Sequence, residues 1–293
     1  MIKRGLTLGE GETPLLRSIK AELYMREKTE LYFKMENRNP AGGIVDRGVV
    51  RFFEDIKNCF VEGILVYGDP ELAISVSAYG ARAGRPVYNY LRAANYSEEC
   101  YKKIVKYDGR AYLISGEQEE LKGVFREISE GYPYKFADYE LDCFYKGIKS
   151  VVDELKSELG EFNRLFAGAF DTDIEKMALL QKACKDAGVE LVLAVYSGSF
   201  IAAENSSMKV MEIERFEAGE SKMLLKSEGI EFGEKDSLAF AAVMKCDRDK
   251  ILKTDEKNVV LILGDKAVNT EEFIGIERVE ASCDSIKKAM GLK

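Results

Sequence analysis

Through most of its 293 residues the chain alternates short runs rich in β-branched and aromatic residues with longer amphipathic stretches. A strand followed by a helix cannot turn straight back on its neighbour, so it re-enters its sheet in the same direction. That pattern dictates βαβ units, mainly parallel sheets and helices on both faces. Phe60–Tyr67, Pro86–Leu91 and Arg110–Ser115 read as strands, and Glu71–Ala83, Ser97–Tyr107 and Glu117–Glu130 as helices. A second series runs helix Phe144–Leu159, strand Arg164–Ala167, helix Thr172–Ala187, strand Glu190–Val195. It ends with helix Asp236–Cys246, strand Asn258–Leu263 and helix Cys283–Met290. Ser197–Lys235 has little periodicity and much Gly, Ser and Glu, so it reads as loops with short elements. The expected fold class is α/β, with two doubly wound domains.

Charge and residue usage exclude several functions. The formal net charge is −8 with acids and bases interspersed, which opposes a nucleic-acid surface. No apolar run approaches the roughly 18 residues of a membrane span, and Met1–Gly11 lacks the apolar core of a secretory signal. A cytoplasmic protein without nucleic-acid or membrane partners is expected. The six cysteines are never closer than 37 positions, so no zinc knuckle or CxxC pair exists and buried reduced thiols are expected. Histidine is absent, so proton transfer near neutral pH falls to carboxylates, lysine, cysteine or tyrosine.

Four segments carry more specific information: Leu8–Leu15 (LGEGETPL), Lys34–Gly48 (KMENRNPAGGIVDRG), Arg82–Val87 (RAGRPV) and Lys146–Ser150 (KGIKS). In this order they resemble segments of threonine synthases and their relatives, the fold-type II pyridoxal-phosphate enzymes of the tryptophan synthase β-like superfamily. The resemblance covers nearly the whole chain. It implies a smaller domain, 49–140, inserted in a larger one, 1–48 plus 141–293, with the active site in the cleft between them. It also implies pyridoxal phosphate as cofactor and a dimer as assembly, and it points to amino-acid lyase or synthase chemistry.

Residue by residue, the resemblance departs from the family at four places. Aligning Asn39-Pro40 and Asp46-Arg47-Gly48 with the family's lysine motif puts Val45 at the Schiff-base lysine, and an isopropyl group forms no imine. Lys34 and Lys149 lie near matched segments but not at that position. The family's asparagine-bearing turn corresponds to Val66-Tyr67-Gly68-Asp69-Pro70-Glu71, in which Asp69 reads as an N-cap, Pro70 stands at the first helical position and Glu71 adds a further acid. A substrate carboxylate would meet like charge there. The glycine-rich phosphate loop corresponds to Phe166-Ala167-Gly168-Ala169-Phe170-Asp171-Thr172-Asp173-Ile174-Glu175, with one glycine left and a capping box expected between Thr172 and Glu175. At the strand end that should offer a hydroxyl to the pyridine nitrogen stands Leu263; Ser237 keeps a hydroxyl and reads as a helix N-cap.

From these departures no bound cofactor is expected, because the pyridoxal-phosphate site of the family looks degraded. The leading expectation is a pseudoenzyme acting as a regulatory or partner subunit, in a homodimer or in a heteromer with a related synthase, or as a small-molecule receptor. One alternative is a cofactor-independent enzyme using Asp69, Glu71, Asp171 and Asp173, which also admit a divalent ion. Another is an active pyridoxal-phosphate enzyme with a relocated lysine. The tyrosines Tyr132, Tyr134, Tyr139 and Tyr145 are interface candidates, with core packing as the other expectation.

Overall fold

The computed structural model describes residues 5–41, 43–92, 97–201, 208–264 and 276–292. The strands, in chain order, are β1 (Leu15–Arg17), β2 (Glu30–Lys34), β3 (Gly63–Tyr67), β4 (Val87–Arg92), β5 (Arg110–Ile114), β6 (Tyr134–Ala137), β7 (Arg164–Gly168), β8 (Glu190–Tyr196), β9 (Lys209–Ile213), β10 (Lys257–Leu261) and β11 (Arg278–Val279). The helices are α1 (Ala21–Tyr24), α2 (Asp46–Ile56), α3 (Pro70–Ala83), α4 (Glu98–Lys106), α5 (Gln118–Gly131), α6 (Asp142–Leu159), α7 (Ile174–Asp186), α8 (Arg215–Ser227), α9 (Glu234–Arg248) and α10 (Cys283–Met290). The fold class is α/β, in two compact units.

The first unit draws on 1–9, 45–147 and 268–293. Its five strands run in the order β11-β5-β4-β3-β6, all parallel. β3, GILVY, is buried at every position, as a central strand covered on both faces must be. The core is aromatic. Tyr90 and Tyr112, cross-strand partners, stack at 5.2 Å between ring centroids, and Phe125 of α5 packs 5.0 Å from Tyr90. α10 closes this core with buried Ile286 and Met290, and its carbonyls at Ile286 and Ala289 accept the hydroxyls of Tyr90 and Tyr112. The described residues 276–292 therefore group with this unit rather than with the strands that precede them in sequence.

The second unit draws on 10–44 and 148–267, with strand order β1-β2-β10-β7-β8-β9. Only the β1–β2 pair is antiparallel. Phe33, Phe166, Val192, Leu238, Phe240 and Val260 are among its buried core residues.

Ser197–Lys235 is not the loop region its pattern suggests: it contains β9 and the thirteen-residue α8. The buried face of α8 is Glu217, Ala218, Ser221 and Leu225, while Phe216 and Met223 are exposed. With Leu225 the one large apolar side chain among its buried residues, Glu217, Ala218 and Ser221 beside it, and Phe216 and Met223 facing outward, the helix leaves no clear hydrophobic stripe to read. Four of the cysteines, Cys100, Cys143, Cys184 and Cys246, are buried, and burial pushes the Cys100 and Cys184 thiols up to about 12. Cys59 is exposed, against expectation. Tyr134 and Tyr139 are core residues, and Tyr132 and Tyr145 are half-buried.

Candidate functional site

In an open α/β sheet, ligands settle beyond the carboxyl ends of the strands where the winding direction reverses, because the two connecting chains diverge there. Each unit has one such reversal. In the first, β3 leads to β4 and β5 on one side and β6 lies on the other, so the reversal falls between β3 and β6. In the second, β7 leads to β8 and β9 on one side and β10 lies on the other. Gly68, Asp69 and Glu71 follow β3 in the first unit, and Gly168, Asp171, Thr172, Asp173, Ser237 and Leu263 lie near the ends of β7 and β10 or the start of α9 in the second; Asn39 lies at neither place.

At the end of β3 the chain turns through Gly68, whose φ of +85° suits glycine best. Asp69 follows as the N-cap of α3 and accepts the amides of Glu71 at 2.8 Å and Leu72 at 3.4 Å, with Pro70 at the first helical position. Its second oxygen accepts the hydroxyl of Tyr139, just past β6, at 2.6 Å. One buried carboxylate thus spans the reversal point. Glu71 is half-buried.

Val45 is the N-cap of α2 and only 1% exposed, and the adjoining Asp46 accepts the Ser75 hydroxyl at 2.5 Å. Asn39 belongs to the second unit, where it holds the opening segment: its amide nitrogen donates to Glu36, and its oxygen accepts the Gly11 amide at 3.0 Å. Thr13 donates to Glu36 at 2.6 Å in the same cluster, which ties Gly11–Thr13 to Glu36–Asn39.

At the second reversal point the start of α9 sits against the ends of β7 and β10. A Cβ on Gly168 would lie 1.8 Å from the carbonyl oxygen of Lys235, so only glycine permits this approach. Asp236, fully buried, accepts the amides of Leu263 at 2.7 Å and Gly264 at 3.1 Å. The N-cap of α9 is Gly233, whose amide donates to Asp236. Ser237 is therefore not the N-cap; it lies one turn inside and donates to the Gly233 carbonyl at 3.0 Å. Leu263 is buried, and Asp265 lies outside the described residues.

After β7, Asp171–Asp173 form a 3₁₀ turn and α7 begins at Ile174, later than the Thr172 start expected. The reciprocal cap is made by Asp173, which accepts the Phe170 amide at 2.8 Å, rather than by Thr172. The other Asp173 oxygen accepts Lys176 Nζ at 2.8 Å and Lys235 Nζ at 3.0 Å, all three side chains being buried. Burial alone would raise the Asp173 pKa, but the Lys176 and Lys235 charges and the donated hydrogen bonds hold it well below the carboxylate range. Asp171 and Thr172 are exposed, and Asp171 accepts the Ser199 hydroxyl at 2.6 Å.

Two lysines lie opposite the acids of this loop. Lys176, three residues on along a helix start, carried a spacing signal. Lys235 is brought from 62 residues away and carried none.

The two other lysines near matched segments are engaged. Lys34, fully buried, donates to the Thr13 carbonyl and pairs with Glu158 at 2.8 Å and Glu154 at 3.2 Å. Lys149 pairs with Asp153 one helical turn on. Among the described residues no group of three His, Cys, Asp or Glu is placed to hold a metal ion, and no helix is long and apolar enough to cross a membrane.

A family model described as pyridoxal-phosphate dependent enzyme matches residues 6–171. Threonine synthase of Halalkalibacterium halodurans is 29% identical over 157 residues, 53% of this chain and 44% of that protein. Cysteine synthase of Aquifex aeolicus is 32% identical over 134 residues, 43% of this chain and 40% of that protein. The chain thus spans less than half the length of the curated relatives it matches. Among solved structures, an O-ureido-L-serine synthase superposes with a TM-score of 0.74 at 16% identity, covering 90% of this chain and 92% of that one. O-acetylserine sulfhydrylase isoform 3 from Entamoeba histolytica gives 0.73 at 15% identity over 98% and 96%. At such identities the superpositions speak for the fold alone.

Proposed function

This chain belongs to the pyridoxal-phosphate dependent enzyme family, and we propose that within it the protein is a threonine synthase-like scaffold that no longer takes the cofactor and works by binding. It serves on this reading as a regulatory or partner subunit beside a related synthase, or as a small-molecule receptor.

The observation that carries this is the presence of the chain's own carboxylates at both reversal points. Asp69 sits on the α3 amides and the Tyr139 hydroxyl, and Asp173 on the Phe170 amide and two lysines. A ligand carboxylate or phosphate competing for either place must displace a tethered group that has no translational entropy left to lose. On this reading the residues do not fit pyridoxal phosphate: the motif alignment puts Val45, which has no amine, at the Schiff-base position, and the Phe170 amide in the loop after β7 is already taken by Asp173. Of the relocated-lysine candidates, Lys34 is buried in ion pairs with Glu154 and Glu158, and Lys149 forms a surface pair with Asp153 on α6. For the cofactor-independent enzyme no observation argues, since Asp69 and Asp173 are occupied with capping.

The decisive experiment incubates the purified protein with pyridoxal phosphate, reduces with borohydride and maps the lysines by mass spectrometry. No stoichiometric adduct at any single lysine is the expected result. One lysine carrying a full equivalent overturns the proposal and restores the family's chemistry. Co-purification with a lysine-bearing synthase then separates a subunit from a receptor.

A further inference from the structure

The contacts of Asp173 are those of a bound anion. One oxygen receives two ammonium groups, at 2.8 and 3.0 Å, and the other receives a backbone amide at 2.8 Å. The donors come from three places: the turn after β7, the first turn of α7 and the start of α9. The Lys235 ammonium also lies 5.4 Å from the Phe170 ring centroid. Two buried lysines converging on one oxygen are costly to desolvate, and the anion they share offsets part of that cost.

We propose that Lys176, Lys235 and the Phe170 amide form an anion receptor whose ligand is the chain's own Asp173 carboxylate. The receptor is latent: it is closed to external anions in the native chain and opens to a tetrahedral oxyanion, inorganic phosphate or sulfate, when that carboxylate is removed. This rests on the reading of a self-occupied sheet end given above, and adds to it that the receptor itself persists. The lysines explain why the carboxylate stays: an ion held by two buried cations does not leave unless another anion takes its place.

The test is Asp173→Ser, which keeps a short oxygen suited to a helix start while vacating the carboxylate volume. Thermal unfolding is followed with increasing inorganic phosphate, and with chloride at matched ionic strength as the screening control. A ligand that binds only the folded state raises the midpoint in a dose-dependent way. The expected result is a phosphate-specific rise in D173S and none in the native chain. Absence of the rise in D173S, or an equal rise in the native chain, overturns the inference. Should D173S not fold in chloride, D173S/K176M and D173S/K235M each remove one charge of either sign and keep one lysine. A phosphate-specific rise in both is then expected, and no rise in either overturns the inference. Borohydride trapping reads lysine chemistry with pyridoxal phosphate, whereas this assay contains none, so a negative outcome in one leaves the outcome of the other unaffected.

Discussion

The Tyr139 hydroxyl donates to Asp69 at 2.6 Å, tying the segment after β6 to the N-cap of α3 across the reversal point of the sheet. Removing the carboxylate in D69A loses the cap and this hydrogen bond together. A loss of about 2–3 kcal/mol in urea unfolding is expected, from a cap and a buried hydrogen bond. D69N keeps an oxygen for the helix amides and loses less than half of that.

Gly168→Ala places a methyl group 1.8 Å from the Lys235 carbonyl oxygen, a backbone atom that cannot rotate away. About 3 kcal/mol of destabilisation is expected, at the upper end of overpacking costs, as a lowered unfolding midpoint. An alanine accepted without loss of stability contradicts the close approach of α9 to β7.

Acid unfolding reports the Asp173 pair directly. Its folded-state pKa lies below the unfolded value of about 3.9, so its stabilising contribution is complete above that pH. As pH falls through about 3.9 towards the folded value, the contribution is lost. The stability difference between the native chain and D173N should be constant from pH 7 to about 4 and shrink below it. A difference that instead grows on acidification would mean the carboxylate is protonated in the folded protein.

Ile286 of α10 is fully buried against the aromatic core of the first unit. I286A should cost about 3 kcal/mol, within the range of large-to-small substitutions that leave a cavity. Because Tyr90 and Tyr112 pack beside this helix, their near-ultraviolet dichroism should weaken with it.

Much of the fold is legible locally. The alternation of strand-like and amphipathic runs yields the α/β class, and α10 falls on Cys283–Met290 as the pattern requires. The Asp69-Pro70 start of α3 is equally visible, because capping is a matter of adjacent residues. α8 is not visible in the pattern, since its buried face is Glu217, Ala218, Ser221 and Leu225, and hydrophobic periodicity registers poorly a helix whose buried positions are mostly small or polar while Phe216 and Met223 are exposed.

Local patterns were enough for the class of fold and the resemblance to a cofactor family. What fills the strand ends came from long-range packing. Strand order sets which segments meet, and it brings Lys235 onto Asp173 from 62 residues away and Tyr139 onto Asp69 from 70. Charge balance at a buried point depends on neighbours in space, so a loop that reads as a row of acids becomes, once folded, a carboxylate held by two lysines.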